Sequence, residues 1–135
     1  LRVTREVAQR LITGDYTPLL QSREAFAAEC YALMQSRCYR PKAIVEYDRK
    51  AFIAKENKIR VTFDSRIVAT ESSFDLFDER LNMAPVLAPG AVVMEVKYNG
   101  FLLDYIRRMI NTVDQSELSV SKYMLARQNG YRYRL

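Results

Sequence analysis

The sequence predicts an α+β fold in which helices flank an antiparallel sheet. Apolar residues recur at helical spacing before residue 40 and again after residue 100, whereas residues 42–64 and 91–98 alternate between apolar and polar side chains. An apolar fraction of 49%, a charged fraction of 27% and a mean hydropathy of -0.23 are typical of a globular protein. The length of 135 residues is that of one ordinary domain, so we predict a single domain over residues 1–135.

Helical spacing in the first segment follows Thr4, which can act as an N-cap, and Gly14 ends that helix. Ser22 is the predicted cap of a second helix that ends near Arg37. Residues 71–90 are predicted to be a connection with one helical turn at residues 75–79, and residues 114–119 a polar loop. Apolar stripes define the second helix and the third helix: Phe26, Cys30, Leu33 and Met34 in the second, and Leu102, Ile106, Met109 and Ile110 in the third. A last short element starts with Ser121, Lys122 and Tyr123.

Strand periodicity begins at Lys42, after Pro41 has imposed extended backbone on the residue before it. A polar turn at residues 55–58 then leads into a second strand and completes a hairpin. A third alternating segment follows at residues 91–98. The predicted strand faces are Val45, Tyr47 and Arg49 in the first strand; Ile59, Val61 and Phe63 opposite Arg60, Thr62 and Asp64 in the second; and Val93, Glu95 and Lys97 in the third.

Composition limits the chemistry. The chain contains no histidine, which excludes Ser-His-Asp and Cys-His catalysis, and its two cysteines are too few for a disulfide framework, so we expect a reducing, cytoplasmic compartment. A net charge of +5 and a pI near 9.3 favour an anionic partner, whether nucleic acid, phosphorylated metabolite, polyphosphate or acidic membrane surface. No stretch reaches the ~20 apolar residues of a membrane span, and no signal peptide is recognisable.

Charged residues on the three predicted strands project towards one side if the strands pair in compatible register. Basic groups with one embedded carboxylate suit a polyanion and a divalent cation, because arginine binds phosphate bidentately and hard metals prefer oxygen ligands. The same pattern also fits a solvated sheet face with cross-strand Arg-Glu pairs, each contributing about 0.2–1 kcal/mol. The pattern alone leaves both interpretations open.

Four segments of the chain resemble the vacuolar transporter chaperone (VTC) domain in their order and spacing. They are residues 45–52 (VEYDRKAF), 59–64 (IRVTFD), 94–98 (MEVKY) and 121–123 (SKY). The resemblance implies membership of the polyphosphate polymerase branch of the triphosphate tunnel metalloenzyme (CYTH-like) superfamily, in which antiparallel strands close into a β-tunnel or barrel. It further implies an ATP-dependent phosphotransferase that moves the ATP γ-phosphoryl group onto a polyphosphate chain, aided by Mn²⁺ or Mg²⁺.

The resemblance assigns roles to individual residues. It implies that Arg49, Arg60, Lys97 and Lys122 act in catalysis and bind phosphate, together with Tyr47 and Ser121 as further phosphate-binding residues. Glu95 is the implied metal carboxylate. The implied partners are ATP, polyphosphate, pyrophosphate and inorganic phosphate, with no nucleic acid expected.

Relatives carry, upstream of the region matched here, further strands with a Glu-x-Lys motif and an Arg-x-Arg pair. The comparison therefore leads us to expect the C-terminal half of the fold, about half of a tunnel, completed by a missing N-terminal segment or by a second copy of the chain. We also expect any membrane association to come through other parts of a longer protein. Two alternatives stay open at this point: a non-catalytic module that binds phosphate or polyphosphate, and a nucleic-acid-binding protein.

Overall fold

The computed structural model describes residues 1–112 and 120–132. Within these ranges it contains α-helices and an antiparallel sheet, which confirms the α+β prediction. Two short 3-10 helices, Thr17–Gln21 and Glu56–Lys58, join some of these elements. The helices and strands in chain order are α1 (Arg5–Ile12), α2 (Ala25–Ser36), β1 (Ile44–Ile53), β2 (Arg60–Thr70), β3 (Ala84–Pro85), β4 (Val92–Lys97), α3 (Asp104–Ile110) and α4 (Lys122–Arg132).

β2 is the central strand of the sheet. It pairs with β1, and it also pairs antiparallel with β3 at Val68 and Ala69 and with β4 along residues 60–65. β3 and β4 thus lie beside successive parts of the same strand. Among the described residues the four strands form an open sheet, and they do not close into the barrel that the family resemblance led us to expect.

A change in the alternation of β2 occurs at Arg66. Before it, the buried residues are Thr62 and Asp64; after it, they are Ile67 and Ala69, together with Thr70 at the end of the strand. Arg66 has a φ of 51°, in the left-handed region that residues other than glycine seldom adopt. The shift in phase and the positive φ together indicate a β-bulge, because one inserted residue moves the following side chains to the opposite parity.

The chain divides into two compact units, and the first consists of Leu1–Ile44 and Thr70–Asn82. Its core contains Tyr16, Leu19 and Ala27, against which part of α2 packs. As predicted, the Thr4 side chain accepts a hydrogen bond from the Val7 amide and caps α1. α2 differs from the prediction: its N-cap is Glu24, because residues 17–21 form a 3-10 helix and the Ser22 hydroxyl accepts from the Glu24 amide.

The second unit consists of Val45–Ala69 and Met83–Leu135 and holds most of the sheet. Its β1–β2 turn is tied to the segment after β4, where the Asn57 side chain donates to the Phe101 carbonyl at 2.9 Å. The Asn57 carbonyl in turn accepts from the Asn99 amide at 2.8 Å. These two bonds hold the turn and the β4–α3 connection together.

Residues 71–90 contain no helix; the turn predicted at residues 75–79 is non-helical, and the two-residue strand β3 was not predicted. The polar loop predicted at residues 114–119 lies outside the described residues. Across residues 1–112 and 120–132, no helix has both the length and the apolarity that crossing a membrane requires.

Candidate functional site

The register of β2 against β4 brings charged side chains to one side of the sheet. Arg60 lies opposite Lys97, and Thr62 lies opposite Glu95. Residues that face each other across an antiparallel ladder project from the same side, so these four side chains share a surface with Asp64. We call the following set the charged face: Tyr47 and Arg49 of β1, Arg60, Thr62 and Asp64 of β2, Glu95 and Lys97 of β4, and Lys122 of α4.

Asp64 is the centre of the charged face. Its side chain is completely buried, and both of its carboxylate oxygens accept charged hydrogen bonds. Arg49 donates from Nε to Oδ1 at 2.6 Å and from Nη2 to Oδ2 at 2.7 Å. The Nζ of Lys122 lies 2.6 Å from Oδ2. One buried carboxylate therefore joins a residue of β1 to the first residue of α4.

Electrostatics keep Asp64 and Arg49 ionised at neutral pH. Hydrogen bonds from Arg49 lower the pKa of Asp64 to about 2; burial opposes this shift, and the Lys122 ammonium reinforces it. The pKa of Arg49 is raised above its already high ordinary value, chiefly by its hydrogen bonds to Asp64 and, more weakly, by the charge of Glu95. Asp64 cannot act as a proton donor or acceptor near neutral pH, so its part in the site is electrostatic.

The ring of Tyr47 lies beside both cations. The Arg49 guanidinium carbon and the Lys122 Nζ each lie 5.0 Å from the ring centroid. At this distance the electron-rich ring face attracts a cation, which contributes about 0.5–1 kcal/mol for a partly exposed pair. Tyr47 therefore helps to hold the two cations in place, in addition to the ion pairs with Asp64.

Glu95 and Lys97 form a second ion pair, with 3.1 Å between Oε1 and Nζ and both side chains partly exposed. Over the described ranges, no group of three acidic, cysteine or histidine residues is arranged to hold a metal ion. A single carboxylate does fit Mg²⁺ or Mn²⁺ that is shared with substrate phosphates, since Mg²⁺ is commonly bound through one or two carboxylates plus phosphate oxygens. Of the two carboxylates on the charged face, Glu95 is the one not enclosed by two cations.

Thr62 presents a hydroxyl without a hydrogen-bond partner among the described residues. The residue is 1% exposed, and its Oγ1 atom is buried directly across the ladder from Glu95. A buried hydroxyl without a partner is unfavourable by about 1–3 kcal/mol, and such groups commonly meet a water, an ion or a ligand. Within the described residues, Thr62 Oγ1 is therefore a buried oxygen of the charged face that lacks a hydrogen-bond partner.

The remaining residues of the sequence-based site lie at its margins. Arg60 is exposed, at the end of β2 that lies next to the β1–β2 turn. Ser121 immediately precedes α4, and its hydroxyl accepts a hydrogen bond from the Met124 amide at 3.4 Å, which is the geometry of an N-cap. Ser121 therefore has a local structural role, while its hydroxyl proton remains available to a ligand.

Asp64 was not among the site residues expected from the sequence. The alternation of β2 put it on the same side as Arg60 and Thr62, and it ends the segment 59–64 of the VTC resemblance, but the alternation makes it an ordinary polar residue of a solvated face. The structure differs from this expectation: Thr62 and Asp64 are buried, whereas on the other side Val61 and Phe63 are only half-buried and Ile59, just before β2, is fully buried. The side chain of Lys122, the first residue of α4, contacts Asp64 and contributes to its burial.

Fold and site together describe an α+β protein that carries a partly buried, predominantly cationic face on an antiparallel sheet. Comparison with protein families identifies the particular family of this protein. The VTC domain model matches residues 1–130, and the chain belongs to the VTC domain family. Searches among curated proteins and among solved structures found no match.

Proposed function

We propose that the charged face binds the phosphates of ATP and polyphosphate, and that the chain serves an ATP-dependent polyphosphate polymerase of the VTC family. Membership of the VTC domain family supports a function related to polyphosphate polymerisation. The observation that carries the proposal is the arrangement of Arg49 and Lys122 around Asp64, which holds two cations next to each other on the sheet. Two fixed cations side by side match the spaced charges of a phosphate chain.

Phosphoryl transfer suits this set of side chains. The bond between the γ-phosphorus and the β–γ bridging oxygen breaks, a bond forms from the terminal oxygen of the polyphosphate chain to the same phosphorus, and ADP leaves with the bonding electron pair. Such a reaction needs in-line positioning and neutralisation of charge rather than a protein nucleophile. Arg49, Arg60, Lys97 and Lys122 would bind the phosphate oxygens and stabilise the charge of the transition state. Tyr47 and Ser121 would add phosphate contacts.

A divalent cation fits the proposal at Glu95. The carboxylate of Glu95 would hold Mn²⁺ or Mg²⁺ together with phosphate oxygens, and the metal ion would supply further neutralisation of phosphate charge. Lys97 is within ion-pair distance of the same carboxylate, so its ammonium orients Glu95 and would exchange partners when phosphate binds. ATP as the phosphoryl donor agrees with a cytoplasmic site of action, with any membrane attachment through other parts of a longer protein.

The open sheet favours a second candidate function. A phosphate chain bound on a face that is not enclosed would remain accessible to water, so the chain would serve as a non-catalytic module that binds polyphosphate, pyrophosphate or inorganic phosphate. Completion of the tunnel by a further segment or a second copy would restore the catalytic function. Nucleic acid is the least favoured ligand, because Tyr47 lies beside two cations that compete with a base for stacking on its ring.

Transfer of radiolabel from the γ-position of ATP into polymer, in the presence of Mn²⁺, tests the catalytic proposal. We expect Arg60→Ala and Glu95→Gln to abolish incorporation, and the matched controls Lys50→Ala and Glu46→Gln, which are exposed residues of β1, to retain it. Retained incorporation in both site variants would exclude the charged face as the active site. Binding of tripolyphosphate without incorporation would favour the binding module, and displacement of tripolyphosphate by an oligonucleotide would favour nucleic-acid binding.

A further inference from the structure

Asp64 and the two cations around it lie at different depths. The Asp64 side chain has no exposed surface, whereas the side chain of Arg49 is 31% exposed and that of Lys122 is 21% exposed. A ligand arriving from solvent can therefore contact the side chains of Arg49 and Lys122 but cannot reach the carboxylate. The carboxylate lies beneath the surface that a ligand would contact.

Each cation keeps hydrogen-bonding capacity after its contact with Asp64. Arg49 uses Nε and Nη2 towards the carboxylate, which leaves Nη1 uncommitted to Asp64, and the ammonium of Lys122 has further N–H donors beyond the one directed at Oδ2. Asp64 thus restrains both side chains without occupying all of their donors. Lysine and arginine have large side-chain entropies that are lost when the side chains become fixed, so a cation that is fixed in advance binds a ligand at a lower entropic cost.

α4 begins at Lys122, which is an unfavourable position for a cation. The N-terminal end of a helix carries partial positive charge, which disfavours a lysine in the first turn. The Lys122 ammonium is nevertheless held on the sheet, at 2.6 Å from the Asp64 carboxylate. The buried negative charge offsets the repulsion between the helix end and the lysine, and keeps the cation directed into the charged face.

We propose that Asp64 is a positioning residue that fixes Arg49 and Lys122 for binding to phosphate oxygens. The inference rests on the proposed function for its ligand, while the restraint on Arg49 can be measured without any ligand. It makes an unusual prediction about charge. Removing a negative charge from an anion-binding surface should strengthen binding if charge alone matters, but it should weaken binding if the lost carboxylate was what held the cations in place.

Tripolyphosphate binding at constant ionic strength distinguishes these two effects. We expect Asp64→Asn to weaken binding by about tenfold or more, despite the gain of one positive charge. The matched control is Asp48→Asn, which removes the same charge from an exposed ion pair with Arg66 on β1 and β2 and should leave binding unchanged or slightly stronger. Binding by Asp64→Asn as tight as that of Asp48→Asn would overturn the proposal.

A double-mutant cycle separates positioning from a general loss of structure. Arg49→Ala should weaken binding strongly in the wild-type chain but much less in Asp64→Asn, because an unrestrained Arg49 contributes little. Equal losses in both backgrounds contradict the inference. Should Asp64→Asn fail to fold, Asp64→Glu retains the charge but displaces the carboxylate by one methylene, and wild-type binding by that variant would refute precise positioning.

The Nε–H resonance of Arg49 gives a readout that needs no ligand. In the wild-type chain we expect slow exchange of this proton with solvent because it is bonded to Asp64, and in Asp64→Asn we expect fast exchange with the fold retained. An unchanged exchange rate would refute the restraint. Absence of tripolyphosphate binding by the wild-type chain would instead refute the proposed function, and the exchange measurement would still decide whether Asp64 restrains Arg49.

Discussion

Acidification weakens the ion pairs of Asp64 in a pH range that the structure specifies. The pKa of Asp64 is about 2 in the folded chain and 3.8 in the absence of these contacts. Because the folded-state pKa is the lower one, the stabilisation is fully present above the unfolded-state pKa and is lost as the pH falls through the folded-state pKa. The difference corresponds to about 2.5 kcal/mol, and solvent screening of the partly exposed cations reduces the expected contribution to about 1 kcal/mol.

Urea unfolding at about pH 5, 3 and 2 measures this contribution as a free energy of unfolding. Between the highest and the lowest pH, the wild-type chain should lose about 1 kcal/mol more than Asp64→Asn, which has no carboxyl group to titrate at this position. Asp48→Asn should follow the wild-type profile, because its exposed ion pair does not share the buried environment of Asp64. Equal losses in the wild-type chain and in Asp64→Asn would refute the assignment of acid sensitivity to this cluster.

Three substitutions test other parts of the chain. Arg60→Met should change the free energy of unfolding by less than about 0.5 kcal/mol, since Arg60 is exposed and has no ion pair within the described ranges. The same substitution should weaken tripolyphosphate binding several-fold, and undiminished binding would remove Arg60 from the site. Thr62→Val should leave the free energy of unfolding in urea unchanged or raise it by about 1 kcal/mol, because the Thr62 hydroxyl lacks a hydrogen-bond partner, and tripolyphosphate binding should weaken. A marked loss of stability would mean that the hydroxyl is already hydrogen-bonded. Tyr16→Phe should lower stability by about 1 kcal/mol in thermal unfolding, since the buried Tyr16 hydroxyl donates to the Tyr39 carbonyl; no change would show that this bond contributes nothing.

Local signals predicted the helices and strands most accurately. The Thr4 cap of α1 depends on residues close together in the chain and was found where the sequence placed it. The last short element predicted to start at residues 121–123 is the 11-residue helix α4, which is longer than expected. Ser22 failed as the cap of α2 because several polar residues precede the apolar stripe, and the 3-10 helix at residues 17–21 determined which of them is the cap. The bulge at Arg66 had no sequence signal, since a left-handed arginine is set by the surrounding sheet rather than by the residue itself.

Part of the charged face could also be predicted from the sequence. Alternation of side chains correctly grouped Arg60 and Thr62, and the strand register then brought Glu95 and Lys97 to the same side. The roles assigned to these residues in phosphate and metal binding remain predictions. The sequence did not predict which polar side chains are buried, because burial depends on the element that covers the sheet face.

What the sequence alone determined is the α+β pattern, the family and the set of charged residues on alternating strand positions. Periodicity depends on near neighbours in the chain, and the order of the family motifs can be identified along the sequence without knowledge of the fold. The role of Asp64 was decided only by tertiary structure. Arg49 comes from another strand and Lys122 from a distant helix, and only the folded chain places both within 2.7 Å of one buried carboxylate. Such a contact depends on how α4 and β1 approach β2, which residue spacing does not encode.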